Sequence, residues 1–388
     1  MNRFTIPRDI YYGEGSLEVL KTIQGKRATI VIGGQSIKKS GYLNKIESYL
    51  REAGFATQLI EGVEPDPSVT TVQNGANMMA DFQPDWIIAV GGGSPIDAAK
   101  VMWTFYEHPE LSFEEIKAPT PVPTLRNKAR FVAISTTSGT GTDVSPFSII
   151  TDREKGVKYP VFGFDITPDI AIVDPDLTYS MPPQIVAYTG MDVLTHGIEA
   201  YVSTLHTPFT DPLAMQSIKM AVENIEKSFA GDKKARGEMH YAQCIAGMAF
   251  SNAFLGIVHS LAHKSGAIFN IPHGCANAIY LPYVIDFNKK VDGSRYADIA
   301  RMLGLTGSTE DELIDSLTDL IRRLNKALGL PLTLKEFGVT ESELEKYVDQ
   351  MAAEAIHDPC TPSNPREVSV EQMKQLYIAA FKGQKVNF

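Results

Sequence analysis

One acidic residue and four histidines have the types and spacing of a metal site. Asp192 and His196 lie four residues apart, His259 and His263 are also four apart, and His273 follows them. Residues four apart share one face of a helix, so each pair can point into one pocket. A carboxylate with several imidazoles is a ligand set for zinc, iron or another divalent first-row ion. On spacing alone, His259 pairs with His263.

A glycine-rich turn, AVGGGSPIDAAK at residues 89–100, follows an apolar strand-like run and opens a helix-like segment. Three glycines let backbone N–H groups approach a phosphate, and the start of a helix favours negative charge. The turn matches neither the usual dinucleotide fingerprint nor a P-loop. It predicts a pyrophosphate site, with glycine packing in a tight turn as the alternative.

A second loop, STTSGTGTDVSPF at residues 135–147, also follows an apolar run and is dense in hydroxyl groups. Open α/β sheets bind their ligands at the carboxyl ends of parallel strands. Two such loops on neighbouring strands therefore favour a bound dinucleotide over a simple surface turn.

The end of an earlier strand, GGQS at residues 33–36, bears on the type of dinucleotide. NAD enzymes often carry an acid there that accepts from the ribose 2′-hydroxyl. Here Gly34 and Ser36 stand at the strand end, with Lys38 and Lys39 close behind. This neutral, roomy site suits a 2′-phosphate, unless the lysines are only solvated helix residues. A metal and a dinucleotide together indicate hydride chemistry.

The elements that must position these residues fall into two groups. Strands alternate with helices up to about residue 178, which predicts an α/β N-terminal domain with a Rossmann-like, doubly wound parallel sheet at residues 1–178. A β-hairpin is predicted at residues 147–162. Residues 179–388 read as an all-α metal-binding domain, because helical periodicity dominates there. The predicted strands are 29–34, 57–63, 86–93, 129–137 and 169–177, and the predicted helices include 36–54, 68–82, 95–106, 184–204, 211–229, 233–252, 256–269, 276–288, 294–303, 309–328, 333–337, 340–355 and 370–384.

Composition excludes several classes of protein. The net charge of −10 argues against a nucleic-acid or anionic membrane partner. Three widely spaced cysteines give no disulfide framework, and the first residues lack an apolar signal core. No apolar run is long enough to span a membrane. The expected location is the cytoplasm.

Taken together, these motifs resemble the iron-containing (group III) alcohol dehydrogenase family. The segments that carry the resemblance are GGGSPIDAAK, TTSGTGTDVSPFSIITD, GVKYP, DIAIVDPDL, GMDVLTHGIEAYVS and HSLAHKSGAIFNIPHGCANA. Within the family, FSNAFLGIVHSLAHK resembles the alcohol dehydrogenase domain of bifunctional aldehyde–alcohol dehydrogenases, and IGGQSIKKSGYL resembles NADP-linked butanol dehydrogenases. The resemblance implies a dehydroquinate synthase-like fold.

The resemblance also assigns roles to residues. The implied metal ligands are Asp192, His196, His259 and His273, and His263 is left beside the substrate and the nicotinamide as a catalytic group. NAD-linked relatives carry Asp at the position of Gly34. The implied cofactor-binding residues are Gly34, Ser36, Gly92, Gly93, Ser94, Asp97, Thr136, Thr137, Thr140, Ser145, Phe147, Lys158 and Leu177.

The expected function is reversible hydride transfer between NADP(H), preferred over NAD(H), and a primary alcohol or aldehyde at Fe(II), with Zn(II) as the other metal. Phe147, Phe254 and Cys360 are expected either to line the substrate pocket or only to pack. Residues 358–366 resemble a loop that closes over the metal in relatives. A homodimer or larger homo-oligomer is expected. The alternatives are an NAD-linked diol or glycerol dehydrogenase, a lyase-like enzyme of the same fold, or a catalytically silent oligomer subunit.

Overall fold

The structure is a computed structural model, and it describes residues 3–388. The chain divides into two units, Met1–Ser180 and Met181–Phe388. The first contains every strand of the described residues, and the second is helical. The expected fold class, a Rossmann-like parallel sheet followed by an all-α region, is confirmed.

Eight strands lie within residues 3–388: β1 (Asp9–Tyr12), β2 (Arg27–Ile32), β3 (Ala56–Ile60), β4 (Trp86–Gly91), β5 (Arg130–Ser135), β6 (Phe147–Asp152), β7 (Val157–Phe162) and β8 (Ile170–Val173). Six of them form one parallel sheet in the order β1-β8-β5-β4-β2-β3. The other two, β6 and β7, form the predicted antiparallel hairpin.

The helices of the first unit cover the sheet, and those of the second unit pack on one another. Their bounds are α1 (Ser36–Lys39), α2 (Tyr42–Glu52), α3 (Val69–Phe82), α4 (Gly93–Glu107), α5 (Phe113–Ile116), α6 (Pro183–Val202), α7 (Thr210–Phe229), α8 (Lys233–Ala253), α9 (Ile257–Phe269), α10 (His273–Met302), α11 (Glu310–Ala327), α12 (Leu334–Phe337), α13 (Glu341–Ala355) and α14 (Val370–Lys382). Short 3₁₀ helices occupy Ser16–Lys21, Phe164–Ile166, Pro175–Thr178 and Thr361–Ser363.

The central strands of the sheet are buried on both faces, which explains their nearly continuous apolar sequences. In β4, Ile88 and Val90 join one hydrophobic core, whereas Ile87 and Ala89 join the other. Successive residues of a strand point to opposite faces, so each core takes every second side chain. Parallel sheets depend on such two-sided cover.

Two sequence expectations need correction in the first unit. Strand β1 was not predicted, because DIYY is short and half exposed and gives no apolar run. The helix expected at residues 36–54 is two helices, α1 and α2. They separate at Gly41, whose φ of 82° lies in the left-handed region that interrupts a helix.

The second unit also contains local departures from straight helices. The two helices predicted at 276–288 and 294–303 belong to α10, which has non-helical torsion angles at Asp292. Among residues 3–388, no single helix is long and apolar enough to cross a membrane. Helices α8 and α9 pass that test of length and composition only as a pair, with a bend of 105° between them.

Candidate metal centre and cofactor loops

Three helices of the second unit bring one carboxylate and three imidazoles together. Helix α6 carries Asp192 and His196, α9 carries His259, and α10 begins at His273. One ligand atom from each of these four residues lies within 4.8 Å of the other three. The expected set of four is thus assembled in the structure, although 81 positions separate its first and last members (273 − 192 = 81).

The distances within this set suit a divalent ion. The Oδ1 atom of Asp192 lies 3.8 Å from Nε2 of His196, 3.8 Å from Nε2 of His259 and 3.5 Å from Nε2 of His273. Ligand atoms about 2.1 Å from a tetrahedral ion are separated by roughly 3.4 Å. The donor set and its spacing therefore fit an ion bound by one oxygen and three nitrogens.

A glycine explains how α10 comes this close to α6. A Cβ atom on Gly274 would lie 2.0 Å from the carbonyl oxygen of Tyr188 and 3.3 Å from Cβ of Asp192. Any side chain at this position would push α10, and with it His273, away from Asp192. The glycine in the PHG sequence is therefore required for the ligand geometry itself.

Glu199 orients the buried ligand His259, and sequence reasoning did not identify it. Its Oε2 atom lies 2.5 Å from Nδ1 of His259, while Oε1 accepts from the backbone N–H of Val258 at 2.7 Å. With Nδ1 so engaged, Nε2 of His259 faces the other ligand atoms. Such a carboxylate partner fixes the ring and increases the basicity of a metal-binding histidine.

Burial sets the protonation of this pair. It raises the pKa of Glu199 to about 8 and, together with the neighbouring imidazoles, lowers the pKa of His259 well below its ordinary value. A neutral imidazole is the form that binds a metal ion.

Asn277 is the second residue that sequence reasoning missed. It lies within hydrogen-bond distance of Asp192, His259 and His273, at 2.8, 3.1 and 3.2 Å.

His263 lies beside the four-ligand set but has a different partner. Its Nδ1 atom lies 3.0 Å from Oδ2 of Asp358, and its ring stacks on His273 at a centroid distance of 5.4 Å. Lys264 also contacts Asp358 Oδ2, at 3.2 Å. Burial opposes ionisation of Asp358, but His263 and Lys264 outweigh it and hold the pKa of this carboxyl below its usual range. A charged carboxylate thus fixes the His263 ring.

In the first unit, the predicted cofactor segments follow three adjacent strands. Residues 33–36 follow β2, the glycine turn follows β4, and the hydroxyl-rich loop follows β5. These strands are parallel neighbours, so their carboxyl ends meet at one edge of the sheet. The strand order changes direction between β2 and β4, and such a switch point is where open α/β sheets bind dinucleotides.

The three segments touch one another at their glycines. A Cβ atom on Gly33 would lie 3.7 Å from Pro95. One on Gly92 would lie 3.1 Å from Oγ1 of Thr137, and one on Gly93 would lie 3.3 Å from Thr140. Larger residues would fill the space between the loops, so these glycines permit the close backbone approach that is typical of phosphate-binding turns.

Two charged side chains, the buried Lys100 and the partly exposed Asp97, hold the second loop against α4. The Nζ atom of Lys100 donates to the backbone carbonyls of Thr142, Ser145 and Phe147 at 2.8, 2.7 and 2.8 Å. The carboxylate of Asp97 accepts from Thr142 Oγ1 at 2.6 Å and from the N–H of Ile149 at 3.0 Å. Asp97 therefore positions the loop through both of its oxygens.

The other expected cofactor residues divide by exposure. Ser94 and Thr136 are partly exposed at the loop edge, whereas Ser145 is buried and Leu177 packs in the sheet core. Phe147 is partly exposed and packs against Phe162 at 5.0 Å. Lys158 forms an ion pair with Asp66 at 2.6 Å on the exposed hairpin.

The strand end expected to meet the 2′-phosphate also differs in part from expectation. Gly34 and Ser36 are exposed, as expected. Lys38, however, forms an ion pair with Glu61 at the end of the neighbouring strand β3. Because α1 has only four residues, its dipole adds little. Support for a phosphate here therefore rests on space and backbone donors more than on lysine charge.

Replacing Lys100 by methionine should destabilise the first unit by about 3 kcal/mol, because three buried carbonyls lose a charged donor. Burial lowers the pKa of Lys100 to about 8, so the amine is still mainly charged at pH 7. Thermal melting and NADPH fluorescence titration would measure the loss of stability and of cofactor binding. Lys128→Met is the matched control, since its amine donates to one carbonyl, that of Tyr106. Equal effects of the two substitutions would contradict the anchoring role.

Comparison with known proteins agrees with this geometry. The family description "Iron-containing alcohol dehydrogenase" matches residues 7–175, and "Fe-containing alcohol dehydrogenase family, C-terminal" matches residues 186–381. The chain therefore belongs to the iron-containing alcohol dehydrogenase family. As a member of that family it is an oxidoreductase of the alcohol dehydrogenase class.

Individual relatives support the same assignment. An NADPH-dependent butanol dehydrogenase from Clostridium saccharobutylicum is 60% identical over the full length of both chains. An aldehyde-alcohol dehydrogenase from Streptococcus pneumoniae is 41% identical over 99% of this chain, which spans only 46% of that relative. The solved structure of an iron-containing alcohol dehydrogenase from Thermococcus thioreducens is 40% identical, with a TM-score of 0.91, and the match covers 98% of this chain and 100% of that one.

Proposed function

We propose that this chain catalyses the reversible reduction of an aldehyde to a primary alcohol, with NADPH as the hydride donor and Fe(II) as the bound ion. The convergence of Asp192, His196, His259 and His273 on one point carries the proposal. Family membership and the NADPH-dependent relative support iron and NADPH over Zn(II) and NADH. We further propose that the domains divide near residue 178 and that the protein acts in the cytoplasm as a homo-oligomer.

Different residues of the chain would bind the ion, orient its ligands and bind the cofactor. When bound, the ion would supply a Lewis acid for a carbonyl oxygen and the reduced nicotinamide a hydride. The carboxylate of Asp192 would offset one positive charge of the ion, and the imidazoles of His196, His259 and His273 would be its other ligands. Glu199 holds His259 in the orientation in which Nε2 faces the centre. The loops after β4 and β5 would hold the pyrophosphate through backbone N–H groups.

His263 moves the proton that the product oxygen requires. Asp358 accepts from its Nδ1 atom, so the ring is fixed and Nε2 is the nitrogen left to donate. A proton at Nε2 passes to the oxygen as the alcohol forms, and solvent restores it, since about a third of the His263 side chain is exposed. Asp358 is thus a positioning residue for this step.

The variant His263→Ala should therefore retain the metal but have a lower kcat. We expect a decrease in kcat of about 10- to 1000-fold, the range for a positioned acid–base group. Metal content and kcat, measured on the same preparation, separate the two effects. His357→Ala, on the same segment as Asp358 but exposed, is the control and should change neither quantity. Loss of the ion in His263→Ala would instead make His263 a ligand.

The preference for NADPH rests on the end of β2. Apart from its chain neighbours, no atom of residues 3–388 lies within 4 Å of a Cβ built on Gly34, so there is room for a phosphate. The strand end also lacks the acid that would bind a bare ribose and repel a phosphate. Together with the name of the 60% identical relative, these features favour NADPH.

One assay tests the proposal as a whole. The protein would be reconstituted anaerobically with Fe(II) or Zn(II), and oxidation of NADPH and of NADH followed with butyraldehyde and a panel of other aldehydes. We expect the highest kcat/KM for the Fe(II) form with NADPH and a straight-chain aldehyde. Turnover with NADH alone, or only with diols, would favour the diol dehydrogenase alternative.

A further inference from the structure

A second group of metal-binding side chains lies in the helical unit, outside the set of four. His263, Asp358 and Cys360 place a nitrogen, an oxygen and a sulfur atom within 4.8 Å of one another. Three protein ligands with a fourth position left to water form a frequent arrangement for zinc, and thiolate favours zinc over harder ions. The set of four contains no sulfur, so the two groups differ in their chemistry.

The geometry of this second group is fixed by the surrounding loop. Asp358 is 4% exposed, and its Oδ1 atom accepts from the backbone N–H of Cys360 at 3.1 Å while Oδ2 faces His263. The hydroxyl of Thr361 lies 2.8 Å from that of Ser260 on α9, one turn before His263. The loop with the cysteine is therefore tied to the helix with the histidine, and ligand binding requires little rearrangement.

Solvent can reach this group. The His263 side chain is 32% exposed, and Cys360 is partly exposed, whereas Cys244 and Cys275 are buried. An ion can thus reach the group from solution at the exposed part of His263. The ammonium of Lys264, which shares Oδ2 of Asp358, is a local charge that opposes the ion.

We propose that His263, Asp358 and Cys360 form a second metal site, which takes Zn(II) or a similar thiolate-seeking divalent ion in preference to Fe(II). The ion bonds to Nδ1 of His263, Oδ2 of Asp358 and Sγ of Cys360. The imidazole proton moves from Nδ1 to Nε2 and the thiol proton leaves to solvent, so one proton is released per ion and no oxidation state changes. With Nδ1 bound to the ion, the ring keeps its single proton at Nε2 and can no longer form the imidazolium that delivers a proton; this inhibitory consequence rests on the proposed function.

The binding step can be tested without any turnover. Co(II) serves as the probe, because a cobalt–thiolate bond gives a charge-transfer band in the near ultraviolet and imidazole and carboxylate ligands do not. Titration of the metal-free protein should yield two bound ions and this band. Cys360→Ser should abolish the band and leave one ion, while the matched variant Cys244→Ser should keep both. Absence of the band, or its survival in Cys360→Ser, would overturn the proposal.

The inhibitory step is tested with Zn(II) added to the Fe(II)-loaded enzyme, and each variant is compared with its own rate without zinc. Half-inhibition of Cys360→Ser should require about tenfold more zinc than half-inhibition of the unmodified enzyme, or a still higher excess. This is the usual cost of losing an interaction at a metal site. Half-inhibition of Lys264→Met should require about tenfold less zinc than that of the unmodified enzyme, because the competing ammonium group is absent. Unchanged zinc sensitivity in both variants would overturn inhibition through this site. A cobalt band without zinc inhibition would confirm the site and contradict the role of His263, so the two failures are distinguishable.

Discussion

Alanine in place of His259 should leave the protein folded but unable to retain iron, and should lower kcat/KM for aldehyde reduction about 1000-fold or more. A Lewis acid contributes several kcal/mol to the transition state, and that contribution disappears with the ion. His259 is the ligand most firmly held, since it is 2% exposed and Glu199 fixes its ring. Its loss therefore removes one ligand and leaves the buried side chain of Glu199 without its partner.

The measurement is the iron content of the purified variant after reconstitution, with circular dichroism to show that the fold is retained. His206→Ala is the matched control, because this histidine is exposed and pairs with Asp211 in the first turn of α7. This variant should retain its iron and its kcat/KM for aldehyde reduction. A His259→Ala protein with stoichiometric iron and full turnover would show that the four residues do not form the metal site.

Aspartate in place of Gly34 should reverse the cofactor preference, changing the ratio of kcat/KM for NADPH and NADH by about 100-fold. The new carboxylate would repel the two negative charges of the 2′-phosphate and would accept from the bare ribose hydroxyl instead. The fold should tolerate the change, because Gly34 is exposed and its Cβ position is open. Its backbone also lies outside the left-handed region.

The same charge one residue further along is the control. Gln35 is also exposed, and Gln35→Asp adds the same net charge at the N-cap of α1, one position past the residue that relatives with NAD occupy with an acid. It should shift the ratio far less. If wild-type enzyme used NADH as well as NADPH, the neutral strand end would be only the absence of an acid, without a phosphate site in its place.

Most of the strands and the helical second half could be predicted from local pattern. Apolar runs separated by helices specify a parallel sheet, and the confirmed family resemblance selected His273 where spacing alone had paired His259 with His263. That correction illustrates a limit of periodicity. Periodicity shows which residues share a helix face. It does not show which ligand atoms come within 4.8 Å of one another in the fold.

The residues that escaped prediction act through partners far away in sequence. Glu199 meets His259 across 60 positions and Asp358 meets His263 across 95, while Lys100 anchors a loop more than 40 positions away. Each is an ordinary charged residue in its own segment, and only packing shows that it is buried and paired. Short elements such as β1 and α1 were missed for the opposite reason, since they have too few residues to show a period.

The ammonium of Lys100 has a kinetic consequence for cofactor capture. It holds three carbonyls of the loop after β5 through the chain's own atoms, so the loop has its shape before any nucleotide arrives. In other proteins a loop loses conformational entropy when it becomes ordered around its ligand. Here that entropy is already lost during folding. Association at these loops should then follow simple second-order kinetics, with an observed rate that rises linearly with nucleotide concentration and reaches no plateau.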